Sequence, residues 1–332
     1  MITSMNLVFG FNKVEEDIKH LIENNTLHHC NMLVGEKGIG KSKFVYNIAT
    51  FLLSQRTNNS FDNIENTFKL VENRSHPDLL ILDINSLDIN GDENTGKKGE
   101  INIDQARVIT NNINFTNSLS KNKVIVIDSI DETNIQAQNV LLKTLEEPPA
   151  NAYIFLVCHN INKVLPTILS RVNIIKINKL SFNDYKNALV KTNKNAISYD
   201  EESLGLFYNM SNSSISKSLN IIENNGLELY ENILNCITQK DIVKIQQIAK
   251  DIENKDEIFQ LFKLIMENIF FTLINYFTPQ DCIFRNYFDK IIANLKPKTI
   301  FEKYDYYTNL MNDINTYNLS KMHCITVLLQ KF

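Results

Sequence analysis

Eight consecutive residues, Gly35-Glu36-Lys37-Gly38-Ile39-Gly40-Lys41-Ser42, fit G-x-x-x-x-G-K-[ST] without a mismatch. A loop of this kind turns its backbone amides inward around the β- and γ-phosphates of a nucleotide, and Gly35, Gly38 and Gly40 supply the backbone freedom that the curl needs. Lys41 then pairs with phosphate oxygens, and the Ser42 hydroxyl ligates Mg²⁺. A second chemical position follows the apolar run Val124-Ile125-Val126-Ile127, which ends in Asp128. A carboxylate at a strand end beside such a loop belongs in the coordination sphere of the same Mg²⁺. Together these residues predict binding of ATP or ADP with Mg²⁺. The adjacent His28 and His29 lack carboxylate company and read as a packed helix end rather than metal ligands.

A phosphate loop works only if a strand and a helix hold its two ends. The sequence supplies both, with an apolar run at Asn31–Val34 and an amphipathic helix over Lys41–Leu53. Further short apolar runs at Leu79–Leu82, Val124–Ile127, Tyr153–Val157 and Ile174–Ile177 read as buried parallel strands. Helical patterns at Ile103–Ile113 and Asn134–Glu147 lie between them. This alternation predicts an α/β domain, a parallel sheet with helices on both faces. Thr133 and Gln136 have the spacing of a capping box, and Pro148-Pro149 forbids continuation of the helix. Ser86–Glu100 reads as a polar, mobile loop.

After Lys179 the strand signals stop. A small helical unit over 180–226, ending at the hinge or C-cap Asn224-Asn225-Gly226, and a helical region over 227–332 complete a three-part division with 1–179. Within the last part, Ile258–Phe277 is the most apolar window. Gln260, Lys263, Glu267, Asn268 and Asn275 interrupt it, so it reads as a helix buried in a bundle or interface rather than a membrane span.

Composition narrows the classes further. The 332 residues are 43% hydrophobic and 22% charged, which provides for two or three packed domains and excludes wholesale disorder. A net charge of −4 argues against coating nucleic acid by bulk basic charge. About one residue in seven is Asn, scattered through apolar-periodic segments rather than gathered into blocks. The five cysteines, Cys30, Cys158, Cys236, Cys282 and Cys324, are dispersed and odd in number. They read as reduced thiols of a cytoplasmic protein, and the N-terminus does not read as a signal peptide.

The segment Ala137-Gln138-Asn139-Val140-Leu141-Leu142-Lys143-Thr144-Leu145-Glu146-Glu147-Pro148-Pro149 resembles a signature of the AAA+ clamp-loader ATPases. Leu27-His28-His29, His76-Pro77-Asp78, Ile103-Asp104-Gln105-Ala106-Arg107 and Leu165-Pro166-Thr167-Ile168-Leu169-Ser170-Arg171 match the same family in order and spacing across most of residues 5–223. The resemblance implies a AAA+ phosphate-loop domain, a small helical lid and a C-terminal helical collar. It also implies partners: gamma/tau and delta subunits, a sliding clamp, and primer-template DNA reached through the assembled complex.

Where the chain departs from the family's motors, it resembles the delta-prime type of subunit. Motors carry a glutamate directly after the strand-end aspartate to polarise the attacking water. Ser129 stands there, and a hydroxyl without an activating partner is no base at neutral pH. Asp131 and Glu132 follow, facing directions the sequence does not give. The motors' lid arginine falls on Ser216, next to Lys217, which reads as an ordinary surface lysine. Ser54–Ser75 contains no cysteine, so the four-cysteine zinc module of many relatives is absent. The resemblance assigns Arg171 to the ATP site of a neighbouring subunit, acting in trans, and Asn160 to a γ-phosphate contact. It implies a stator whose own ATPase is weak or absent. Two alternatives stand beside it: a gamma/tau-type ATP-hydrolysing motor, and a stand-alone nucleic-acid-dependent ATPase such as a helicase loader.

Overall fold

The computed structural model describes residues 8–55, 63–87, 100–113, 119–253, 255–275, 283–293 and 297–332. The chain divides into two compact units, Met1–Leu180 and Ser181–Phe332.

In the first unit the apolar runs become five strands, β1 (Cys30–Val34), β2 (Leu79–Asp83), β3 (Lys123–Asp128), β4 (Ala152–Cys158) and β5 (Asn173–Lys176). They pair in parallel in the order β2-β3-β4-β1-β5. Each strand lies within a residue or two of its expected position. The helices are α1 (Asn12–Glu23), α2 (Lys41–Leu53), α3 (Ile64–Glu72), α4 (Ile103–Asn112), α5 (Ile135–Glu146) and the short α6 (Pro166–Leu169). Successive strand residues point to opposite faces. Met32, Ile125, Ile127, Ile154 and Leu156 therefore pack with Ala106 and Ile109 of α4 and Leu141 and Leu145 of α5. On the other face α2 lies against β3 and β4. Its Phe44 is fully buried and meets Phe11 with ring centroids 4.8 Å apart. Both faces are covered, which is why the strands are apolar throughout rather than alternating.

The expected capping box at the start of α5 is corrected by one residue. Asn134 is the N-cap, accepting from the Ala137 amide at 2.8 Å, while the Thr133 hydroxyl donates to the Ile130 carbonyl at 2.5 Å. A full capping box forms instead at α4. There the Asn102 side chain accepts from the Asp104 and Gln105 amides, and Gln105 Oε1 accepts from the Asn102 amide at 2.9 Å. Most of the loop expected over 86–100 lies outside the described residues, as does Cys282. The other four cysteines are buried and free.

The second unit is helical: α7 (Phe182–Thr192), α8 (Glu201–Ser211), α9 (Ile215–Glu223), α10 (Gly226–Gln239), α11 (Ile242–Glu253), α12 (Asp256–Ile274), α13 (Arg285–Ala293), α14 (Pro297–Tyr317) and α15 (Lys321–Lys331). The apolar helix α12 is packed against α8, α9, α10, α11 and α14. That position explains its composition, since a helix surrounded by others is apolar on nearly every side. Among the described residues no helix is long and apolar enough to cross a membrane. At the α9–α10 junction Asn225 takes the left-handed conformation (φ 50°) and Gly226 begins the next helix. A Cβ on Gly226 would stand 2.6 Å from Ile221 Cγ2, so this junction is tightly packed.

Candidate phosphate-binding site

The candidate site forms where β1, β3 and β4 end. In a parallel α/β sheet this is the rim that receives ligands, because the loops to the helices leave from it. The loop after β1 is pinned at its start. The Gly35 amide donates to Cys158 O at 3.2 Å, and a Cβ on Gly35 would stand 2.6 Å from Ile177 O. Gly40 closes the loop as the N-cap of α2 at φ 106°, a conformation side chains rarely adopt. It offers no side-chain oxygen, so the first amides of α2 face the loop without a side-chain cap.

Lys41 is only 3% exposed. Its ammonium donates to the carbonyls of Gly35 at 2.7 Å and Glu36 at 2.6 Å. Burial pulls its pKa down to about 8, against the opposing pull of Asp131, Cys158, Asp128 and Glu36. The Ser42 hydroxyl hydrogen-bonds to the Asp128 carboxylate. Burial raises the pKa of Asp128; Asp83 and Glu132 add to the rise, while Ser42 and Arg74 oppose it. Asp83 sits opposite Asp128 in register on β2, where Arg74 holds it at 2.5 Å. One cation, one hydroxyl and one strand-end carboxylate thus meet beside a glycine-rich loop. This donor set fits a polyphosphate and its divalent cation.

The segment after β3 settles the two directions that the sequence leaves open. Asp131 accepts from the His159 amide at 2.8 Å and the Asn160 amide at 3.1 Å, one on each carboxylate oxygen. It is thereby a buried clamp between β3 and β4. Glu132 accepts from Lys37 Nζ at 2.5 Å, which ties the phosphate loop to this turn. Ser129 is 1% exposed and its Oγ has no hydrogen-bond partner among the described residues. The Asn160 side chain accepts from the Asn162 amide at 3.1 Å and caps the 3₁₀ turn Ile161–Lys163. The neighbouring His159 is the ring that feels the loop. Burial, with the charges of Lys41 and Lys37, lowers its pKa to about 4, so it is a neutral imidazole. Its Nδ1 is buried without a partner among the described residues.

Arg171 lies elsewhere. It precedes β5 by two residues, at the end of the sheet where strands begin, and is held by Glu146 and the α6 backbone. His76, Pro77 and Asp78 are also at that end, where Asp78 accepts from the Leu119 and Ser120 amides at 2.8 Å each. His28 and His29 stack with centroids 4.3 Å apart just before β1. Among the described residues no group of three or more His, Cys, Asp or Glu side chains could hold a metal ion. In the second unit, Ser214 caps α9 and Lys217 faces Glu267 of α12.

A family model described as "DNA polymerase III, delta subunit" matches residues 10–181, just over half of the chain. The chain belongs to this family. The match ends where the first compact unit ends, so it covers the sheet and every residue of the candidate site. The DNA polymerase III subunit gamma of Buchnera aphidicola subsp. Schizaphis graminum is 28% identical over 269 residues, covering 80% of this chain and 68% of that protein. The DNA polymerase III subunit delta' of Buchnera aphidicola subsp. Baizongia pistaciae is 27% identical over 246 residues, 71% of this chain and 69% of that protein. The delta' subunit of Pseudomonas aeruginosa is 32% identical over 144 residues, 43% of this chain and 41% of that protein.

In this member of the delta-subunit family, several site residues have no local signal in the sequence. Asp131 reaches amides 28 and 29 residues away, Lys37 reaches Glu132 across 95, and Glu146 reaches Arg171 across 25. Gln138 is a further case: its amide donates to Thr133 O and Lys163 O, and its carbonyl accepts from the Leu165 amide at 2.9 Å.

Proposed function

We propose that this chain, a delta-prime-like AAA+ clamp-loader subunit, acts as a stator rather than a motor. It holds one end of a loader that includes gamma/tau and delta subunits, supplies Arg171 to the ATP of an adjacent subunit, and helps load a sliding clamp on primed DNA in the cytoplasm. In this reading residues 1–179 are the nucleotide-binding domain, 180–226 its lid and 227–332 the collar.

The observation that carries the reading is the absence of an available base after Asp128. Ser129 is buried and cannot take a proton at neutral pH. Asp131 has both oxygens committed to backbone amides, and Glu132 is paired with Lys37. The position directly after Asp128, where a motor carries its glutamate, thus holds a buried hydroxyl and no carboxylate. The chain's own site would bind nucleotide through the loop amides, Gly35, Gly38, Gly40 and Lys41, with Ser42 and Asp128 holding Mg²⁺. When bound, the ion would neutralise phosphate charge. Asn160 keeps a weaker place in this reading, since its oxygen serves as a cap, while the His159 ring feels the charge of Lys41.

The position of Arg171 supports action in trans. Four strand residues at roughly 3.3 Å each put it more than about 13 Å from its own phosphate loop along β5. A guanidinium at the outer edge of the sheet is available to a neighbour and not to its own chain. The test is to assemble the complex with Arg171→Ala and follow single-turnover ATP hydrolysis at the adjacent site. Hydrolysis there is expected to fall by about 10³-fold, the scale of a lost trans-acting arginine. Unchanged hydrolysis would remove the trans role. Steady ATP turnover by the purified chain, abolished by Lys41→Ala, would instead establish the motor reading.

A further inference from the structure

We propose that Glu146 is the positioning residue of Arg171, holding the guanidinium in the orientation in which it meets a neighbour's phosphate. This inference rests on the trans-arginine reading above and deepens it.

The geometry around Arg171 is specific. Its Nε donates to Glu146 Oε1 at 2.8 Å, and Nη2 approaches the same oxygen at 2.5 Å. On the other side Nη1 donates to Thr167 O at 2.7 Å and Ser170 Oγ at 3.0 Å. A guanidinium has five N–H donors in a rigid plane. Four are engaged by these contacts, and one on Nη2 is left over. Side-chain exposure is 34% for Arg171 and 46% for Glu146, so the pair sits at the surface. Exposed ion pairs contribute little stability. The pair is therefore too weak to withhold Arg171 from a phosphate, yet its two bonds to a single oxygen fix the plane of the group.

Glu146 is also placed against the preference of its own helix. It is the last residue of α5, where the helix dipole disfavours a carboxylate. Helix stability does not explain a glutamate there, whereas a nearby guanidinium does. The same helix face holds the platform on which Arg171 stands. Gln138, eight residues and about two turns earlier, bonds Lys163 O and the Leu165 amide at the entry to α6. One end of α5 thus fixes the backbone leading to Arg171 and the other end fixes its side chain. Pro148 stops the helix just beyond Glu146, so the carboxylate cannot slide with a lengthening helix.

The test uses the assembled complex and single-turnover hydrolysis at the adjacent site. Glu146→Ala is expected to lower the saturating single-turnover rate about tenfold with the ATP concentration for half-maximal rate unchanged, the scale of a misaligned rather than missing group. Glu146→Gln keeps an acceptor oxygen and is expected to retain most of the rate. Glu146→Asp keeps the charge but withdraws the acceptor, and is expected to behave like alanine. In an Arg171→Ala background, Glu146→Ala should cost nothing more, because the two residues act as one. Two results would overturn the proposal: a normal rate for Glu146→Ala where Arg171→Ala is impaired, or an equal loss in both backgrounds. A normal rate for Arg171→Ala itself would overturn the trans-arginine reading and this inference with it. Should Glu146→Ala fail to assemble, the glutamine and aspartate variants decide the matter, and a pair of equal rates would count against it.

Discussion

The two ends of the sheet are built on opposite plans. Where the strands begin, the polar groups described here are matched to partners. Asp78 takes two amides, Ser120 Oγ donates to Leu53 O, Asn122 donates to Leu52 O at 3.0 Å, and Lys123 donates to Ile113 O at 3.1 Å. Where the strands end, burial is just as deep but the matching is incomplete. The hydroxyl of Ser129 and Nδ1 of His159 lack partners among the described residues, and the His159 ring is held down to about 4 by burial. Saturated polar networks rigidify a fold, while strained and under-satisfied ones mark places built for something other than stability. The comparison teaches that this domain saturates its polar groups at one rim of the sheet and leaves some of them open at the rim proposed to bind nucleotide.

The largest effect that would sharpen this contrast belongs to the saturated rim. Asp78→Ala leaves one buried amide, Ser120, and one half-buried amide, Leu119, without their acceptor and is expected to cost about 3 kcal/mol of unfolding free energy. Nucleotide affinity should stay as it was. Denaturant titration and ADP calorimetry on the same variant check both halves, and a lost affinity with unchanged stability would reverse the contrast.

Lys41→Ala at the other rim should do the opposite. Removing a charge-assisted phosphate contact is expected to weaken ADP binding by about 2 kcal/mol, some 30-fold in Kd. Stability should hold or rise, since a buried ammonium is removed. An unaltered Kd would show that the loop is not the phosphate site.

The smallest effect is a pH dependence. In the free protein Lys41 titrates near 8, whereas phosphate contact favours its charged form and raises that value. Binding then takes up a proton above pH 8, so affinity falls as pH rises. Between pH 7 and pH 9 the loss should be about tenfold. Calorimetry in buffers of different ionisation enthalpy reads the proton uptake directly, and a flat profile over that interval would exclude Lys41 as the linked group.

Much of this architecture is legible in the sequence, and the reason is locality. The glycine spacing of 35–42 and the apolar runs that became the five strands are short-range signals, and so is Asp128 at the end of β3. The capping box at α4 is short-range as well, since Asn102-Ile103-Asp104-Gln105 has the spacing that the structure realises there. At α5 the spacing favours Thr133, but Asn134 caps, because the Thr133 hydroxyl is already engaged by Ile130 O. The directions of Asp131 and Glu132 belong to a different class. Their partners, at 159–160 and at 37, lie on other strands and loops, so only the sheet order brings them together. The holding of Arg171 by Glu146 is hidden for the same reason.

Strand β5 has a consequence of its own. It is four residues long and lies at the sheet edge, bonded to β1 alone. At its far end the Ile177 amide donates to Val34 O at 2.8 Å, and Ile177 O abuts Gly35, the first residue of the phosphate loop. At its near end stands Arg171. The strand is therefore a ruler of fixed length between the group that would reach a neighbour's nucleotide and the loop that would grip its own. In a ring of such subunits its length would help set the pitch from one nucleotide to the next, a distance of roughly six extended residues, or about 20 Å.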